Sequence, residues 1–211
     1  MRFAEVNEAW MSHIGSLGHS AILFPAALAL FGFLVWLGRR ADALAFIAAL
    51  AVCLATTLVA KLAFHACDSG VPAFGIQSPS GHTSFSAVFY GCVALLVSAG
   101  RQSSQRIAIY VGAALFVYLI GVSRIVVEAH TWPDVAAGLA IGVISILVFQ
   151  ALRGPARPLA VSFRAIAFGV PVGVVLLTII LFFARHWTPE PLIEAAALRL
   201  NLLQNLCGPL S

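Results

Sequence analysis

Charge is what this sequence has least of. Only 9% of its 211 residues are charged and 61% are hydrophobic, whereas soluble domains carry about 25% charged residues. That shortage excludes an ordinary soluble domain. It also excludes nucleic acid as a partner: the net charge of +4 comes from basic residues scattered among loops, a pattern of membrane topology. Internal repeats, low-complexity tracts and long linkers are absent. A basic segment before the first apolar run is missing too, since Glu5 and Glu8 occupy that place. A cleaved signal peptide is therefore not expected, and the first span should act as its own insertion signal.

What is present is apolar runs. Six approach the roughly 17–25 residues that cross a bilayer as a helix: about 21–37, 43–64, 83–99, 107–122, 135–152 and 165–184. The expected fold is all-α, a six-transmembrane-helix bundle with amphipathic terminal segments, in one domain over 1–211. Some runs are short, so the helices should stand with little tilt or extend past these limits. The tail at 189–206 alternates Leu192, Leu198, Leu202 and Leu206 with Glu194, Arg199 and Gln204, as an interfacial segment would.

The loops alternate in charge. Arg39, Arg40, Arg101, Arg106, Arg153, Arg157 and Arg164, seven of twelve basic residues, follow the first, third and fifth runs, with Asp42 as the one acid among them. The other seven of eight acids fall on the opposite side. Basic loops stay in the cytoplasm. Both termini, and the loops before the third and fifth runs, are thus expected outside, with Trp10, Trp132 and Trp187 at the outer interface.

Polar residues gather at that outer side. Lys61 ends the second run; "SPSGHT" at 78–83 opens the third; Ser123 and Arg124 close the fourth; Glu128, His130 and Asp134 precede the fifth. Polar groups in or near spans are costly and point to function. A helix start at Gly81 offers backbone N–H groups and a positive dipole end to an anion. Gly81 lets the backbone approach, and Ser80 caps the helix or donates to the anion. Lys61 and Arg124 neutralise phosphate charge, Arg124 with a two-pronged fork. His130 and Asp134, four apart, share a helical face, so the carboxylate can fix the imidazole tautomer and leave a nucleophilic nitrogen. His82 can protonate a leaving oxygen. Each residue also has a purely structural reading. Ser80 and Thr131 can be plain N-caps, Asp134 the partner in a capping box, Lys61 a snorkelling side chain, and Arg124 a C-terminal cap. Only the common depth of the set favours chemistry. His13, His19, His65 and His186 lack such company and are read as interfacial polar residues.

The stretches "PSGH" at 79–82 and "SRIVVEAHTWPD" at 123–134 resemble the second and third signatures of the type-2 phosphatidic acid phosphatase superfamily, integral-membrane branch. The third signature is Ser-Arg, five residues, His, three residues, Asp, met by Ser123, Arg124, His130 and Asp134. The resemblance implies that His130 attacks phosphorus and becomes phosphohistidine, Asp134 orients it, and His82 protonates the leaving group. Lys61, Ser80, Gly81 and Arg124 would hold the phosphate oxygens, with no metal and no cofactor. The first signature departs from the pattern: six residues after Lys61 the expected Arg-Pro is Asp68-Ser69. An acid beside a bound phosphate would weaken binding, so Asp68 is expected to point away from the pocket.

The implied function is a membrane lipid phosphate phosphatase acting on an outer-leaflet phosphomonoester or diphosphate, such as undecaprenyl diphosphate or a glycerophospholipid phosphate. Its partners are the lipid phosphate and membrane lipids. The expected location is a bacterial inner membrane, multi-pass, with the site on the periplasmic side. Two rivals stand beside it: a phosphotransferase on the same scaffold, and a non-catalytic lipid-binding or transport protein. The retained His82, His130 and Asp134 argue against the second, because binding needs only the cations. Cys53 and Cys92 fall within runs as packing residues. Cys67 and Cys207 fall on one side, where a disulfide between them is an open alternative.

Overall fold

The apolar runs fold as helices, because in lipid every backbone group must be satisfied within the segment. The computed structural model describes residues 3–66 and 76–159, and the backbone alone for 3–9 and 65–66. Its elements are α1 (Phe3–Ser16), α2 (Ser20–Trp36), α3 (Arg40–Ala66), α4 (Gly81–Ser98), α5 (Ser103–Val126) and α6 (Trp132–Leu152). Every regular element among the described residues is a helix. Five stretches are long and apolar enough to cross a membrane: Trp10–Trp36, Arg40–Phe64, Gly81–Ser98, Ser103–Val126 and Trp132–Leu152. These are the first five expected spans, mostly with ends running past the expected limits. The sixth, at 165–184, lies outside the described residues, as do the amphipathic tail, Cys67, Asp68 and Cys207. Helix α1 falls in the N-terminal segment outside the expected spans, where the sequence marked no helix limits.

Helix α4 packs against α2, α3, α5 and α6. Phe85, Val88, Cys92 and Leu96 of α4 are buried with Phe46, Ala49 and Cys53 of α3, Leu23, Ala27 and Leu34 of α2, and Phe149 of α6. Small residues set the closest approach, the rule where lipid removes any hydrophobic drive between helices. A Cβ on Gly138 of α6 would sit 2.5 Å from the Ser80 carbonyl oxygen, and one on Gly142 would meet Ala87 and stand 3.0 Å from the Ser84 carbonyl oxygen. The pair Gly138 and Gly142, four apart, is thus a seam along which α6 lies directly on α4.

The helix ends differ by side. After α2, the Gly38 N–H donates to Val35 and the Arg39 N–H to Leu34, at 2.9 and 2.8 Å, with Gly38 at φ 71°. This is a Schellman turn, which favours glycine because its central residue is left-handed. Gly100 and Gly154, after α4 and α6, also have positive φ. The same turn ends α5, with the Glu128 N–H on Ile125 at 2.9 Å and the Ala129 N–H on Arg124 at 3.0 Å. Here the left-handed residue is Glu128, φ 55°, the one non-glycine in that region among the described residues.

The end bearing the basic loops has its own lock. Asp42 Oδ2 accepts from Arg39 Nε at 2.7 Å, and Asp42 Oδ1 accepts from Arg153 Nε at 3.2 Å. Arg153 Nη1 also donates to the Leu95 carbonyl at 3.3 Å, and its guanidinium lies 5.0 Å from the Phe149 ring centre. One buried carboxylate therefore ties the starts of α3 and the end of α6. Between α4, α5 and α6 runs a cavity of about 910 Å3, from Thr83 and Val135 near the opposite end to Arg106 and Arg153 near this one.

Candidate active site

The site assembles at the end of the bundle away from Asp42. Ser80 caps α4: its extended backbone (φ −68°, ψ 109°) turns the chain into the helix, and its hydroxyl accepts from the Thr83 N–H at 3.4 Å. Thr83 Oγ1 also donates to Ser80 Oγ at 3.1 Å. Gly81 is the first residue of α4, and a Cβ there would come 3.7 Å from Lys61 Cε. Lys61 therefore reaches across from the end of α3 to the opening turn of α4. It is buried, and its Nζ donates to Ser78 Oγ at 3.4 Å. Beneath Gly81, Thr57 Oγ1 and Ser84 Oγ hydrogen-bond at 3.0 Å and satisfy each other inside the bundle.

The turn after α5 delivers the second half. The Arg124 carbonyl accepts from both Ala129 N–H and His130 N–H, the latter at 3.2 Å, so the backbone of one signature residue places the next. Ser123 is buried and its Oγ donates to the Ile120 carbonyl at 2.6 Å, a structural role within α5. Thr131 then caps α6 in a full capping box: its Oγ1 accepts from the Asp134 N–H, and Asp134 Oδ2 accepts from the Thr131 N–H at 3.0 Å.

Asp134 does more than close that box. Its Oδ1 accepts from the Gln77 N–H at 2.8 Å and the Ser78 N–H at 2.9 Å, and its carbonyl accepts from the Ser80 N–H at 3.0 Å. Its Oδ2 lies 3.8 Å from His130 Nδ1. A carboxylate only 1% exposed is thus satisfied by three backbone N–H groups while facing one imidazole nitrogen. Oδ2 thus serves the capping box and the approach to His130 together, while Oδ1 holds the 77–78 backbone. Asp134 also welds the 77–80 segment to the start of α6, so the two signatures are fixed relative to each other.

His82 follows Gly81 and lies within electrostatic reach of Arg124, His19, His130 and Lys61. All seven sequence-predicted residues, Lys61, Ser80, Gly81, His82, Arg124, His130 and Asp134, therefore collect at one end of the bundle. The groups around His82 are cations or histidines, a surrounding suited to an anion. Among the described residues no three His, Cys, Asp or Glu side chains gather as metal ligands.

One residue was missed. His19 caps α2 and its ring centre lies 5.3 Å from that of His82 at 78° between planes. Nothing in the sequence near His19 signals this contact, which depends on how α1 folds back. The Gly138 seam was missed too, although the Gly-x-x-x-Gly spacing at 138–142 is a signal that could have found it.

A family model for the PAP2 superfamily matches residues 62–157. That range begins just after Lys61 and takes in Ser80 through Asp134. An uncharacterized 22.5 kDa protein in the cps region of Klebsiella pneumoniae is 30% identical over 169 residues, which cover 78% of this chain and 80% of that one. No solved structure matches the chain with significance.

Proposed function

The chain belongs to the PAP2 superfamily, and from that premise we propose that it is a membrane lipid phosphate phosphatase working through a phosphohistidine. Phosphatase-type activity follows from the family. The observation that carries the finer reading is the 3.8 Å approach of Asp134 Oδ2 to His130 Nδ1, next to the start of α4 against which Lys61 lies. With Nδ1 facing the carboxylate, the attacking atom is His130 Nε2. It forms a bond to phosphorus as the bond from phosphorus to the leaving oxygen breaks, and His82 gives that oxygen its proton. Water then attacks the phosphohistidine, returns a proton to His82 and frees inorganic phosphate. Lys61, Arg124 and the N–H groups of the α4 start hold the equatorial oxygens, where charge accumulates. The residues present suit this task without a metal.

Two features support a lipid over a soluble ester. The site sits at the end of a bundle with five span-length helices. The cavity between α4, α5 and α6 starts at Thr83, which bonds to Ser80, and has about 910 Å3 of largely apolar space for a hydrocarbon chain. The basic loops at the far end support an outward-facing site and an outer-leaflet substrate, a polyprenyl diphosphate or a glycerophospholipid phosphate.

The test is phosphate release by the purified protein in detergent, with chelator, from a panel of polyprenyl diphosphate, phosphatidate and phosphatidylglycerol phosphate. Release from at least one is expected. No release from any, or recovery of the phosphate on a second lipid instead of in water, would sink the hydrolase reading.

A further inference from the structure

The elbow between α1 and α2 borders the candidate site, yet the proposed chemistry does not use it. Its chain turns tightly, with the Gly18 N–H on Gly15 and the His19 N–H on Ser16, both at 3.0 Å. Two glycines let its backbone lie directly on the bundle. A Cβ on Gly15 would be 2.9 Å from Ser123 Oγ and 3.6 Å from Arg124 Nη1. One on Gly18 would be 2.6 Å from Ile120 Cγ2 and 2.8 Å from Ser86 Oγ. Tyr90 pins the elbow from α4, its hydroxyl donating to the Leu17 carbonyl at 3.0 Å.

This seating delivers His19 to His82. His19 Nδ1 accepts from the Ala21 N–H at 3.1 Å as the N-cap of α2, which fixes the ring's rotation. A nitrogen that accepts carries no proton, so the neutral His19 ring is protonated at Nε2. The two imidazoles meet edge to face, 5.3 Å apart at 78°. Among the described residues no hydrogen bond holds the His82 imidazole, whereas His130 has Asp134 beside it. Among the described residues the His19 ring is the aromatic ring that meets His82.

We propose that His19 is a positioning residue: clamped as the cap of α2, its ring holds His82 in the orientation from which it protonates the leaving oxygen. This rests on the phosphatase reading above. The residues that recognise phosphate then come from α3 to α6, while the aim of the proton donor comes from the α1–α2 elbow. A general acid contributes about 10²–10⁴-fold, and a misaimed one forfeits part of that.

The experiment compares two substitutions that separate the two jobs of His19. His19→Asn keeps a side-chain acceptor for the Ala21 N–H and removes the ring. His19→Phe keeps a ring and removes the acceptor. Turnover is measured on an alkyl phosphate lipid, whose leaving oxygen needs a proton, and on p-nitrophenyl phosphate, whose leaving group departs without one. His19→Asn should lose about 10–100-fold on the alkyl substrate and far less on the aryl one. His19→Phe should lose less than His19→Asn on the alkyl substrate, although it melts lower. In a His82→Ala background His19→Asn should cost nothing further. Equal losses on both substrates, an unchanged alkyl rate, or the same cost without His82 would overturn the role of His19 alone. No phosphate release by the wild type from either substrate would overturn the phosphatase reading, and this inference with it.

Discussion

At the scale of single residues, the proposed mechanism divides the site into groups that bind charge and groups that move atoms. His130 belongs to the second kind. His130→Ala should lower turnover by on the order of 10⁴-fold or more, as removing a nucleophile does elsewhere, while leaving the thermal midpoint near that of wild type. Acid-labile phosphate trapped on the wild type and missing from the variant is the direct check; a retained label would move the nucleophile elsewhere. Lys61 belongs to the first kind. It is 4% exposed and lies against Gly81 and Ser78. Lys61→Ala should be nearly inactive, because the arginine that usually follows in its signature is Asp68 here. Near-normal kcat/KM in that variant would show that phosphate is held by other groups. Most of this set was legible in the sequence, since the spacing of Ser123, Arg124, His130 and Asp134 is local to one turn. His19 was not. A lone histidine before an apolar run has the pattern of a helix cap, which it is, and its second partner lies 63 positions along the chain at His82, brought near by packing that no local pattern records.

At the scale of elements, the α4–α6 seam and the α5–α6 turn each make a measurable claim. Gly138→Ala would drive a methyl into the Ser80 carbonyl oxygen, 2.5 Å away, which is backbone and cannot swing aside. Overpacking of this kind costs about 1–3 kcal/mol. Because the seam also sets Ser80 against Asp134, stability and kcat should fall together; a lowered melting temperature with unchanged kcat would separate the seam from the site. Glu128 makes the opposite claim. Its left-handed backbone carries strain of about 1–2 kcal/mol that glycine avoids, offset in part by the freedom glycine has when unfolded. Glu128→Gly should raise stability by up to about 1 kcal/mol. No gain on thermal unfolding would mean that the exposed carboxylate repays the strain. The long helices were legible because twenty-residue apolar runs admit few other structures. Helix α1 was not, because Glu5, Glu8, Ser12 and His13 break its apolar pattern and its packing on α5 supplies what its sequence lacks.

For the whole molecule, the two ends of the bundle carry opposite chemistry. One holds His19, His82 and His130; the other holds Arg39, Asp42 and Arg153 in a buried lock. The charge asymmetry of the loops was legible at once, and it predicts a sidedness on which the helices alone are silent. A thiol reagent that cannot cross membranes should label a cysteine placed at exposed Gln77 in intact cells, and not one placed at exposed Ser103 until the membrane is opened. The reverse pattern would turn the protein over and move its substrate to the other leaflet.

The hydrogen bonds from Gln77 and Ser78 to Asp134 join positions 57 and 56 residues apart. A ribosome adding about 5–20 residues per second makes that distance in roughly 3–11 seconds. For that interval the 77–80 segment has emerged without its acceptor, and the α4 start has no fixed place. The active end therefore comes into being late, when α6 arrives. A nascent chain halted before Asp134 would have four spans, Lys61 and Arg124, yet no carboxylate beside His130.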